Sequence, residues 1–245
     1  MIIAGIIPAR YASTRLPGKP LLLIHGKPMI QRVYEQAKKT GLINTVIVAT
    51  DDIRIFDCVK SFGGEVMMTS KKHQSGTDRL NEVAKKIKCD IVVNIQGDEP
   101  YIDPKNIDLA IEPLITNKKL DVSTLAIKIK DPVDLKDVNK VKVVIDKNNY
   151  ALYFSRNCIP FDMDQKYAED FKIGKNIFYK HIGLYVYRKS YLLKFAKMKT
   201  GYLEKMEKLE QLRILENGDK IKVILTKKDS VSVDSPEDLK KLNKQ

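Results

Sequence analysis

The chain is predicted to fold as one α/β domain, a mostly parallel twisted sheet flanked by helices. Three observations predict this. Short β-branched runs of the kind buried on both sheet faces recur through the first 145 residues, and longer segments with helical apolar spacing lie between several of them. No repeat, linker or low-complexity tract divides the 245 residues, which are 43% hydrophobic and long enough for a sizeable single core.

The elements follow in order. Strands are expected at Ile2 to Ile7, Thr45 to Thr50, Asp90 to Ile95, Val122 to Ile127 and Val141 to Ile145. Pro28 to Lys39 reads as a helix because Ile30, Val33, Tyr34 and Ala37 share one stripe, and Ile53 to Phe62 does the same with Ile55, Val59 and Phe62. Ser75 with Asp78 three residues on resembles a capping box and opens a helix running through Leu80 to Lys88. Ala151 to Arg156 follows an Asn148-Asn149 turn signal and is expected to pair back as a hairpin. Residues 160–180 read as a loop and His181 to Tyr187 as a strand. Leu203 to Glu216 is expected to form one helix, with leucines and Met206 at three-residue steps and an Asn217-Gly218 cap. Ile221 to Leu225 is a strand, and Ser235-Pro236 starts a closing helix.

Composition excludes several classes. No apolar run reaches the roughly 18 residues of a membrane span, and the first basic residue follows the apolar N-terminal stretch, the reverse of a signal peptide. A soluble cytoplasmic protein is expected. Cys58, Cys89 and Cys158 are widely spaced, which indicates neither a disulfide framework nor a zinc site. The net charge of +13 is no signature of nucleic-acid binding: of the 44 basic residues only eight are Arg, the planar fork that base and phosphate recognition favours. The excess lysine reads as a solvated surface, and no nucleic-acid motif is present.

Three segments carry chemistry. The first strand runs into Pro8 to Pro20, where Arg10, Arg15 and Lys19 join small residues and Gly18. Such a loop at a strand's carboxyl end suits a polyphosphate, although it is neither a Walker nor a Rossmann glycine motif. The third strand ends in Gln96-Gly-Asp-Glu-Pro100, where the two adjacent acids Asp98 and Glu99 can present one carboxylate to a hard cation such as Mg2+, and Asp234 after Val231 to Val233 is its natural partner. Arg79 in the first turn of the Ser75-capped helix opposes the helix dipole unless an anion binds there, so this start reads as ligand-facing.

The blocks IPARYASTRLPGKPL, HQSGTDR, VVNIQGDEP, VKVV with ALYFSR, His181-x-Gly-x-Tyr185, KMEKLEQLR across Lys205 to Arg213, and VDSPEDL closely resemble the 3-deoxy-manno-octulosonate cytidylyltransferase (CMP-Kdo synthetase) family, in order and over essentially the whole chain. The resemblance implies a nucleotide-diphospho-sugar-transferase-like fold, a Mg2+ cofactor and a cytoplasmic homodimer. Much of the dimer contact would come from an embedded β-containing subregion at about residues 128–187. The implied reaction couples CTP to 3-deoxy-D-manno-octulosonate (Kdo), giving CMP-Kdo and pyrophosphate for lipopolysaccharide synthesis, with no nucleic acid or membrane as partner.

Carried onto this sequence, Ala9, Arg10, Arg15 and Lys19 hold CTP with Ser75 and Arg79 at its cytidine end. Asp98 and Asp234 bind the metal, and Asp98, Lys19 and Arg10 form the catalytic group. Gln96, His181, Tyr185, Glu210 and Gln211 meet the sugar acid, with Arg156 near its carboxylate. Where many relatives carry an arginine soon after Ile159-Pro160-Phe161, this chain has Asp162-Met163-Asp164-Gln165, a departure that leaves room for an amino-bearing acid such as 8-amino-Kdo. A CMP-sialate synthetase is the nearest enzymatic rival, and a basic nucleic-acid-binding protein is the rival from another class.

Overall fold

Six of the seven strands along the main path of the sheet run in one direction. The computed structural model describes residues 1–12, 16–73, 75–163 and 177–243. Within them the strands are β1 (Ile3–Ala9), β2 (Leu23–Ile24), β3 (Lys27–Pro28), β4 (Thr45–Thr50), β5 (Glu65–Met68), β6 (Ile91–Asn94), β7 (Val122–Lys128), β8 (Lys142–Ile145), β9 (Ala151–Ser155), β10 (Tyr179–Arg188) and β11 (Lys222–Thr226). The main order is β11-β7-β10-β6-β1-β4-β5. β1 pairs in parallel with β4 and β6, β4 with β5, and β11 with β7, whereas β10 lies antiparallel between β6 and β7. The expected hairpin exists: β8 and β9 pair antiparallel and attach to the start of β10.

Period-two alternation divides the core into two layers. On β1, Ile3, Ile7 and Ala9 face one layer, and Ala4 and Ile6 the other. The first layer is covered by α1 (Met29–Lys38), α2 (Ile53–Ser61) and α4 (Pro104–Thr116). The second is covered by α3 (Gly76–Lys86), α6 (Lys189–Phe195) and α8 (Leu212–Glu216). The remaining helices are α5 (Val133–Lys136), α7 (Tyr202–Glu207) and α9 (Pro236–Leu242). Among the described residues no helix is long and apolar enough to cross a membrane.

The capping box expected at Ser75 forms, and the serine start expected at Ser235 is a second box. Ser75 and Asp78 close the start of α3, and Ser235 and Asp238 close the start of α9. The single helix expected over Leu203 to Glu216 is instead two short ones, α7 and α8, separated by Lys208 in the left-handed region at φ 55°. Strict three-residue steps advance about 300° each, so Leu203 and Leu215 cannot share one stripe. Met206, 67% exposed, marks the failure. The break also frees the Glu207 carboxylate to accept from the Ser155 hydroxyl at 2.7 Å and the Arg156 amide at 3.0 Å. Val231 to Val233, read as β-like, lie outside any strand.

Candidate active site

The loops that leave the carboxyl ends of β1 and β6 meet on this sheet edge, where ligands of open α/β sheets bind. Gly97 permits their approach: a β-carbon there would lie 3.0 Å from the Pro8 carbonyl oxygen. Gly18 adopts φ +66° and donates its amide to the Tyr11 carbonyl at 3.0 Å, closing the first loop before Lys19. The Lys19 ammonium then lies 2.7 Å from Asp98 and 3.4 Å from Asp234. The two acids, 136 positions apart in sequence, therefore flank one cation, and the Val233 amide donates to the Asp98 carbonyl at 2.9 Å to hold their segments together.

Arg10 follows the buried Ala9, and its Nη2 is buried with no hydrogen-bond partner among the described residues. A buried guanidinium nitrogen without a partner is costly unless an anion completes it. Arg15 lies outside the described residues.

The sugar-side residues converge on a cavity of about 350 Å³ lined by Gln96, His181, Tyr185, Glu210 and Gln211, together with Pro8, Thr77 and Asn94. β10 carries a bulge between Ile182 and Tyr185. Two extra residues preserve alternation, so His181, Tyr185 and Tyr187 stay on the cavity face while Ile182, Leu184 and Val186 enter the opposite layer. Gln96 donates to the Gly183 carbonyl at 3.0 Å, tying the β6 loop to this bulge. Asn94 Oδ1 is buried without a partner among the described residues.

Burial sets the charge states. Desolvation lowers the His181 pKa to about 3, so its imidazole is neutral at pH 7. The Thr124 hydroxyl donates to the Leu184 carbonyl at 2.7 Å and sits 2.8 Å from His181 Nε2. The single hydroxyl proton is spent on the carbonyl, so Nε2–H is the donor to Oγ1. Glu210 accepts from the Thr77 hydroxyl at 2.5 Å, and burial raises its pKa against that bond. Glu99, buried, is raised to about 7 by desolvation, opposed by the Ser230 hydroxyl that bonds it.

Three of the predicted site residues have partners inside the protein. Arg79 does not face ligand as an exposed cation: its side chain is fully buried, with Nη2 2.8 Å from Asp51 and Nη1 bonded to the Thr69 hydroxyl. The helix dipole is answered by an internal acid instead. Arg156 lies outside the 350 Å³ cavity; its Nε and Nη1 donate to the carbonyls of Glu207 at 2.8 Å and Val138 at 3.0 Å, so it braces the hairpin. It does line a neighbouring cavity of about 970 Å³ that shares Gln96 and His181 and extends to Asp234. The Ser75 hydroxyl oxygen accepts from the Asp78 amide at 3.1 Å, which leaves its own proton to donate. Of Asp162 to Gln165, only Asp162 and Met163 are described.

Thr77 and Asn94 are not singled out by the sequence, whereas Glu99 is one of the two adjacent acids of the Gln96 to Pro100 motif. Asn94 had a signal, a polar residue closing the apolar run DIVVNI beside the candidate loop.

Comparison with known proteins agrees with this geometry. Residues 4–221 match the cytidylyltransferase family. The 3-deoxy-manno-octulosonate cytidylyltransferase of Geobacter metallireducens is 53% identical over 245 residues, covering 99% of this chain and 96% of that protein. That of Geotalea daltonii is 54% identical, covering 99% and 97%. A solved structure of CMP:2-keto-3-deoxy-manno-octonic acid synthetase complexed with CTP superposes with a TM-score of 0.92 at 40% identity, covering 100% of this chain and 98% of that one. The 4-diphosphocytidyl-2C-methyl-D-erythritol synthase of Anaerococcus prevotii, at 16% identity and a TM-score of 0.64, shares the fold. With half-identical relatives matched end to end and a sheet edge that assembles Lys19, Asp98 and Asp234, the chain belongs to the 3-deoxy-manno-octulosonate cytidylyltransferase family.

Proposed function

We propose that the protein transfers the cytidylyl group of CTP to Kdo, giving CMP-Kdo and pyrophosphate and activating the sugar for lipopolysaccharide synthesis. The observation that carries this reading is the Asp98–Lys19–Asp234 cluster, whose Asp234 lines a cavity of about 970 Å³ that shares Gln96 and His181 with the cavity of about 350 Å³. The cations of the Pro8 to Lys19 loop, Arg15 included, meet the triphosphate, with Ala9 bringing backbone close to it. Ser75 and Arg79 serve the cytidine end by fixing the start of α3, Arg79 acting through Asp51.

The acid pair fits a divalent cation because both carboxylates already contact one positive group, the Lys19 ammonium. Mg2+ takes one or two carboxylates and completes its shell with water and phosphate, so Asp98 and Asp234 would suffice to hold it. When bound it supplies neutralisation of charge on the triphosphate and lowers the barrier to attack there. Gln96, His181, Tyr185, Glu210 and Gln211 orient the sugar acid so that its anomeric hydroxyl attacks the α-phosphate in line with departing pyrophosphate. Arg10 and Lys19 bear the negative charge that accumulates on the leaving group. Arg156 supports this wall by holding the Glu207 and Val138 carbonyls.

The whole chain of 245 residues acts as one catalytic domain in the cytoplasm, and residues of about 128–187 form a homodimer contact. Phe161 and Met163, each 82% exposed, and the exposed Ile177 and Leu152 give this subregion apolar side chains that a monomer would leave in water. The test is pyrophosphate release from CTP with a panel of Kdo, 8-amino-Kdo and sialic acid. Kdo is expected to give the highest kcat/KM, and release with none of the three would overturn the function. Equal kcat/KM for Kdo and 8-amino-Kdo would remove any discriminating role for the Asp162 to Gln165 segment.

A further inference from the structure

The segment that delivers Asp234 has no regular structure: residues 227–235 lie between β11 and α9 outside any strand or helix. Its position therefore depends on individual contacts. Asn106, buried on α4, accepts from the Thr226 hydroxyl at 2.6 Å and donates to the Lys228 carbonyl at 2.9 Å, fixing where the segment leaves the strand. Lys180 on β10 pairs with Asp229 at 2.5 Å. The Val233 amide reaches the Asp98 carbonyl. Val231 is exposed, whereas Val233, directly before Asp234, is fully buried against Leu16, Ile24, Met29 and Leu242 and is the segment's one apolar anchor among the described residues.

One further bond joins the segment to the loop that bears Asp98. The Ser230 hydroxyl donates to the Glu99 carboxyl, and both residues are buried, Ser230 at 8% and Glu99 at 6% exposure. Glu99 directly follows Asp98, yet its side chain lies against Ser230 and Gly183. Adjacent residues of one loop thus bond different partners, Asp98 the Lys19 ammonium and Glu99 the segment that carries the second acid, with Glu99, Ser230 and Asp234 all on the wall of the 970 Å³ cavity. The Glu99–Ser230 bond and the Val233–Asp98 bond grip the segment at two points three residues apart, immediately before Asp234.

We propose that Glu99 and Ser230 are positioning residues that set the spacing between Asp98 and Asp234 for a divalent cation, an inference that rests on reading that acid pair as the metal site. Neither residue needs to touch the ion or the substrates. The Asp234 amide is held by Asp238 at 3.0 Å, so the clamp acts on the irregular stretch that leads to it, and its loss weakens ion binding by loosening the spacing between the Asp98 loop and that stretch.

The test compares Ser230→Ala, which removes one hydroxyl and little volume, with Glu99→Gln, which keeps an oxygen acceptor for Ser230. Mn2+ binding to the protein in the presence of CTP is measured from the loss of the free-ion EPR signal, alongside the Mg2+ concentration giving half-maximal pyrophosphate release. Ser230→Ala is expected to raise both the Mn2+ dissociation constant and the half-maximal Mg2+ concentration about tenfold, as loss of a bond to a carboxyl implies. Its kcat at saturating Mg2+ should stay within about twofold, and Glu99→Gln should retain most of the affinity. Normal Mn2+ binding by Ser230→Ala, while Asp98→Asn loses it, would overturn the clamp alone. Normal binding by Asp98→Asn would overturn the metal reading beneath it and the clamp with it.

Discussion

Arg79 separates a structural cation from a ligand cation, and its replacement by Met gives a measurable answer. The methionine fills much of the buried stem volume but removes the charge that Asp51 and Thr69 meet. Breaking one side of a buried ion pair costs about 3–5 kcal/mol because the remaining charge stays uncompensated. The Asp51 side chain is 19% exposed, so water relieves part of that penalty and the lower end, about 3 kcal/mol, applies. For a domain of this size each kcal/mol shifts Tm by roughly 2–4 °C, so thermal unfolding of Arg79→Met should fall by about 6–12 °C. Adding Asp51→Asn removes the stranded carboxylate and should restore at least half of the loss. KM for CTP, measured at a temperature where the variant is folded, should rise no more than about fivefold, through movement of the α3 start. A Tm unchanged within 2 °C together with a KM for CTP raised about a hundredfold would refute the reasoning and make Arg79 a direct nucleotide ligand.

Two further predictions address the sugar side. His181 has a folded pKa of about 3, below its unfolded value near 6.5, so the unfolded chain binds the extra proton between those limits. Stability from this group is present above pH 6.5 and is lost as pH falls, by up to about 1.4 kcal/mol per pH unit. His181→Gln should flatten the slope of unfolding free energy between pH 6.5 and 4.5, and parallel wild-type and variant slopes would count against a buried neutral imidazole. Glu210→Gln keeps an acceptor for Thr77 but alters the cavity wall, and should raise KM for Kdo roughly tenfold with KM for CTP unchanged. Steady-state kinetics with each substrate varied checks this, and an effect confined to CTP would assign Glu210 to the nucleotide.

The reach of the sequence follows the range of the forces involved. Capping boxes at Ser75 and Ser235 are local chemistry, and both formed as their spacing implies. β4 was legible to the residue because Thr45 to Thr50 is β-branched and buried on both faces. α4 was missed although Ile107, Ala110, Ile111 and Leu114 carry a helical stripe, with Pro113 near its end obscuring the pattern. β5 has no fully buried residue and so little apolar signature. The insertion of β10 between β6 and β7 is a long-range pairing that no local pattern announces.

The site divides in the same way. Asp98, Lys19 and Asp234 were legible because each stands in a loop or turn signal beside a strand or helix start, and the fold brings them to one point. The internal partners of Arg79 and Arg156 were not legible, because an arginine's partner, whether Asp51 or a backbone carbonyl far along the chain, is invisible in the residues around it. Glu210 and Gln211 stand on the broken turn between α7 and α8, which brings them to the cavity wall from what reads as the solvated side of one continuous helix.

The central claim is that Asp98 and Asp234 hold the divalent cation on which cytidylyl transfer depends. The most direct test is kcat for pyrophosphate release from CTP and Kdo by Asp98→Asn at saturating Mg2+, with the thermal midpoint confirming a folded protein. Turnover should fall by about a thousandfold or more while Tm changes by no more than a few degrees. Near-normal kcat in the folded variant would contradict the account.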